Sequence, residues 1–124
     1  MTPKWAQDLI IEACLHLGLE NIPVITWRHR KGCETSSGRA WYPRPPRNEG
    51  RIIINAGSNR VDCRLVILHE LAHIIHPNEH HSQDFWNTVW ELVRWNQLPI
   101  RYCLKRETGY RKGAATAYHR GKND

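Results

Sequence analysis

Leu65-Val66-Ile67-Leu68-His69-Glu70-Leu71-Ala72-His73 is the stretch on which the reading of this chain turns. Four apolar residues run straight into His-Glu-x-x-His. Val61, Leu65, Leu68, Ala72 and Ile75 fall on one face at helical spacing, so a helix is expected over about 60–76. Asn59 or Ser58 can cap its start, and Pro77 ends it because proline lacks an amide hydrogen. In such a helix His69 and His73 stand one turn apart on the same side. Two imidazoles so placed can share one metal ion. The Glu70 carboxylate projects beside them, which suits a general base for a metal-bound water.

Working outward, Pro3 looks like the first residue of an N-terminal helix over about 3–17, capped by Thr2, with Trp5, Leu9, Ile10, Ala13 and Leu17 as its apolar stripe. Gly18 supplies its stop. Ile22 to Trp27 reads as a strand, and Arg51-Ile52-Ile53-Ile54-Asn55 as a second. Between them the chain is broken by glycines and prolines, with room for one short strand near Arg39–Tyr42. Downstream, Ser82 is a plausible cap for a helix over about 83–96, with Phe85, Trp86, Val89, Leu92 and Val93 inward. The expected fold class is α+β: an N-terminal helix, a small and mostly antiparallel sheet, the His-Glu-x-x-His helix, a following helix and a basic C-terminal tail. The last ten or so residues are expected to be loosely held.

The chain has 124 residues, 40% of them hydrophobic and 24% charged, a balance that fits one globular domain. No apolar run approaches the roughly 20 residues of a membrane-spanning helix. Met1-Thr2-Pro3-Lys4-Trp5 lacks the apolar stretch of a signal peptide, so a cytoplasmic monomer is expected. Cys14, Cys33, Cys63 and Cys103 form no C-x-x-C pair and are expected as reduced thiols. The net charge is +6, and it is unevenly spread. Residues 28–51 carry seven Lys/Arg against Glu34 and Glu49, and residues 99–124 carry seven against Glu107 and Asp124. Basic segments of this kind suit nucleic acid or another polyanion. The candidate contacts are Arg28, Arg30, Lys31, Arg44, Arg47, Lys105, Arg106, Arg111 and Lys112, with Trp27 and Trp41 able to stack on bases.

A catalytic zinc site commonly takes three protein ligands and keeps one open position. Beyond His69 and His73, the third ligand is open among His76, His80, His81, Glu79 and Glu91. One of Tyr102, Tyr110 and Tyr118 could serve a substrate oxyanion. His69-Glu70-Leu71-Ala72-His73, a short connector, and His81-Ser82-Gln83-Asp84-Phe85-Trp86 together resemble the SprT-like family of small zinc metalloproteases. That family carries a third histidine and an aromatic residue at the start of the next helix. The resemblance therefore implies His81 as third ligand, one zinc ion, and a minimal zincin-like metalloprotease domain over 1–98 followed by a basic extension over 99–124. It also implies a protein or peptide substrate, with related members acting on DNA-bound proteins. The alternative from another class is a non-catalytic, zinc-stabilised module that binds nucleic acid or protein.

Overall fold

A computed structural model of the protein describes residues 1–78, 80–110 and 113–123, with the backbone alone for 110 and 120–123. The elements run α1 (Lys4–Leu17), β1 (Val24–His29), β2 (Ser37–Trp41), β3 (Arg51–Ala56), α2 (Arg60–Ile75), α3 (Gln83–Trp95), α4 (Ile100–Tyr110) and α5 (Gly113–Asn123). The fold is α+β, as the apolar periodicities imply. No helix among the described residues is long and apolar enough to cross a membrane.

α1 ends where Gly18 turns left-handed at φ 71°, and its amide bonds back to the last carbonyls of the helix. Its start differs from expectation: Pro3 is the capping residue, with no side-chain cap. The Thr2 hydroxyl instead donates to the Ile25 carbonyl of β1 at 3.3 Å, which ties the beginning of the helix to the sheet.

The sheet has the order β1-β3-β2 and is mixed. β1 pairs parallel with β3 and β2 pairs antiparallel with it, so the mostly antiparallel sheet expected from sequence is corrected. The order of the strands follows their polarity. β3 buries Ile52, Ile54 and Ala56 and takes the centre. The more polar β1 and β2, with Arg28, His29, Ser37 and Arg39, are left at the edges, where exposed side chains cost little. To reach that order the chain passes from β1 to the far side of the sheet before returning through β3.

α2 is buried along nearly its whole middle: every residue from Leu65 to Ala72 is shielded. A single apolar stripe underestimates it, because α1, β2, β3 and α3 all pack against it. Asn59 caps it by accepting from the Asp62 amide at 3.1 Å. Ser82 caps α3 in the same way, accepting from Phe85 N at 3.2 Å. α3 then buries Phe85, Trp86, Val89, Trp90, Leu92 and Val93.

The segment after Pro99 differs most from the expected basic tail. It builds α4 and α5, which bury Cys103, Glu107, Ala114 and Ala117. Trp90 of α3 anchors the last helix by donating its indole N–H to the Ala114 carbonyl at 2.8 Å. Small alanines let α5 approach α3.

Candidate metal centre

α2 brings His69 and His73 to one side, a turn apart. The third imidazole comes from the connector. Asn78 at φ 68° and His81 at φ 44° both take left-handed backbone, a conformation in which Asn and His are enriched among non-glycine residues. These turns carry the chain back over α2, and His81 arrives immediately before the Ser82 cap. One ligand nitrogen from each of His69, His73 and His81 lies within 4.8 Å of the others. Their ring centroids are 5.0 Å apart for His69–His73, 5.4 Å for His69–His81 and 4.8 Å for His73–His81. That is the scale on which one ion, bound to imidazole at ~2.0–2.1 Å, gathers three rings. The cluster can hold a metal ion.

The first turn of α3 walls the cluster. Phe85 sits 4.3 Å from the His73 ring and 5.0 Å from those of His69 and His81, and Trp86 stacks on His81 at 5.6 Å. These two aromatics, expected as core residues, are fully buried and also fix the orientation of the imidazoles.

Electrostatics set the protonation states. Burial, reinforced by the charges of His69, His81 and His80, pulls the His73 pKa down to about 3, so its ring is neutral at physiological pH and keeps a lone pair to donate. Glu70 is buried beside His69, and desolvation raises its pKa. The His69 and Arg106 charges oppose that rise, and Glu107 adds to it.

Of the other ligand candidates, His76 is engaged with the Thr88 hydroxyl at 2.7 Å, and Glu91 lies 3.4 Å from His16. His80 is exposed and borders the neighbouring cleft. Glu79 lies outside the described residues. This cleft, of about 220 Å³, is lined by Gly38, Arg39, Ala40, Tyr42, Glu70, His73 and His80. A second recess of about 210 Å³ lies against Ser37, Gly38, Val66, His69 and Arg106. The sheet edge at the centre is therefore β2. The strand Arg51–Ala56 is internal to the sheet and has a neighbour on each side.

No protein-family model, no curated protein and no solved structure matches this chain.

Glu107 has no place in the sequence reading except as tail charge, yet it reaches the centre. Its Oε2 lies 2.7 Å from His69 Nδ1. Arg106, expected among the nucleic-acid contacts, is corrected. Its side chain is only 28% exposed and turns inward to Glu107, Asp62 and the Ser36 carbonyl. The pattern Arg106-Glu107 within a helix-compatible stretch is the only trace of this in the sequence, and it does not name a partner. Arg28, Arg30, Lys31, Arg44, Arg47 and Lys105 are exposed, whereas Arg111 and Lys112 lie outside the described residues. Trp27 packs edge-on against Trp5 at 5.8 Å and is half-buried. Trp41 is 46% exposed, with the Arg39 guanidinium 5.9 Å from its ring. Among the tyrosines, Tyr102 donates to Asp62 at 2.7 Å and Tyr118 packs on Trp90. The side chain of Tyr110 lies outside the described residues.

Proposed function

We propose that this chain is a zinc-dependent peptidase, with His69, His73 and His81 as the metal ligands and Glu70 as general base. The observation that carries the reading is the convergence of three imidazoles, two from α2 and one from the connector after it, beside a buried carboxylate and an open cleft. An all-imidazole donor set suits zinc, and a hydrolytic centre needs no redox change from its metal. The likeness of residues 69–86 to the SprT-like pattern supports the same reading.

Bound zinc would supply Lewis acidity, lowering the pKa of a water on it to ~7. The protein's own groups do the rest. Glu70 takes the proton of the attacking water on its carboxylate and delivers it to the departing amine nitrogen. Burial raises its pKa towards the operating pH, which favours both halves of that transfer. The free edge of β2 offers backbone N–H and C=O groups to an extended peptide lying in the cleft. Exposed Arg28, Arg30, Lys31, Arg44 and Arg47 suit substrates that are themselves seated on nucleic acid.

The test is Glu70→Gln, assayed for zinc content and for cleavage of an unfolded protein. The expected result is one zinc per chain, as in the unaltered protein, with hydrolysis reduced ~100-fold or more. Full cleavage by the zinc-loaded variant would remove Glu70 from the mechanism. A zinc-loaded unaltered protein with no hydrolysis of any peptide would favour the non-catalytic binding module.

A further inference from the structure

Glu107 is fully buried on α4, 38 residues along the chain from the histidine it touches. A carboxylate so placed is costly unless its oxygens are satisfied. Both are: Oε2 meets His69 Nδ1 at 2.7 Å, and Oε1 accepts from Arg106 Nη1 at 3.1 Å. Arg106 is itself anchored. It donates through Nη2 to the Ser36 carbonyl at 2.8 Å and through Nε to Asp62 Oδ1. Asp62, also fully buried, accepts in addition from the Ser36 amide and the Tyr102 hydroxyl. The start of α2, the segment before β2 and the helix α4 thus meet in one polar network whose last member is a cluster imidazole.

Within this network two buried carboxylates, Asp62 and Glu107, share one guanidinium, and the His69 ring is the next group in line. With Nδ1 facing Glu107, Nε2 is the nitrogen that His69 turns to the cluster. A carboxylate behind a ligating imidazole orients the ring and strengthens it as a donor.

The geometry points to Glu107 as the positioning residue of the metal centre, held in place by Arg106, so that α4 is part of the centre although it supplies no ligand. This rests on the zinc-site reading above and adds a second layer to it.

The test uses the full chain and its Glu107→Gln and Arg106→Lys variants. Zinc affinity is measured by chelator competition, and the visible spectrum is recorded with cobalt in place of zinc. Glu107→Gln keeps the shape and a hydrogen-bond acceptor but removes the charge. Zinc binding is expected to weaken 10–100-fold, with a shifted cobalt spectrum. Arg106→Lys leaves Glu107 in place and loosens it, so a smaller loss in the same direction is expected, and this variant carries the test should Glu107→Gln fail to fold. A structural role alone would lower the thermal midpoint of the metal-free protein without moving zinc affinity or the cobalt spectrum. Affinity and spectrum unchanged in the folded variants, beside an unaltered protein that loads zinc, would overturn this inference and leave the proposed function standing. An unaltered protein that takes up neither metal would overturn both.

Discussion

At Glu70 burial and charge act in opposite directions, and the balance gives a carboxylate whose pKa is raised although imidazole and guanidinium groups stand nearby. His69, Glu70 and His73 were legible in the sequence because helical spacing alone places them. His81 was legible only as one of several candidates, since its approach depends on left-handed turns at Asn78 and His81 itself. Glu107 was not legible: nothing local distinguishes it from other acidic residues, and its partner lies far along the chain. Other buried groups follow simpler rules. Burial lifts the Cys14 thiol from 9.0 to about 11. Below pH 9 the thiol is protonated in both folded and unfolded chains, so its contribution is constant. Between pH 9 and about 11 the unfolded chain has lost the proton that the folded chain retains, and stability falls as pH rises. Urea midpoints measured across that window should decline less steeply for Cys14→Ala than for the unaltered protein. Equal slopes would mean that the thiol does not carry this dependence.

At the level of elements, the decisive contact is between β2 and α2. A Cβ built on Gly38 would meet Val66 Cγ1 at 2.7 Å and Glu70 Cγ at 2.9 Å. Val66 is β-branched and stiff in a helix, so it yields little. Gly38→Ala must therefore push β2 away from α2 or displace Glu70. Either outcome moves the base or the cleft wall and leaves the histidines in place. We expect hydrolysis to fall ~10-fold or more with zinc affinity within a few-fold of the unaltered protein. Unchanged turnover would show that this close approach does not set the position of Glu70. Helix boundaries were largely legible, since Asn59, Ser82, Gly18 and the two apolar stripes mark them. Strand pairing was not. β1 and β3 are separated by β2 in the chain, and the local pattern of Ile52 and Ile54 marks a buried strand without naming its partner or its direction.

For the whole molecule, the C-terminal segment changes the picture most. Its basic composition suggested a solvated extension, but Cys103, Glu107, Ala114 and Ala117 face inward. Gly109 and Gly113 interrupt the periodicity that would have announced two helices, and alanine is too weak a hydrophobic marker to restore it. Once folded, α4 reaches the imidazoles through Glu107, and α5 braces the helix that presents Phe85 and Trp86 to them. The molecule is thereby organised around the space between His69, His73 and His81. Direct zinc titration of the full chain and of its His69→Ala, His73→Ala and His81→Ala variants tests that organisation most plainly. The account predicts one equivalent bound per unaltered chain and tight binding lost in each variant. It is contradicted if the unaltered chain binds none, or if His81→Ala binds zinc as tightly as the unaltered protein.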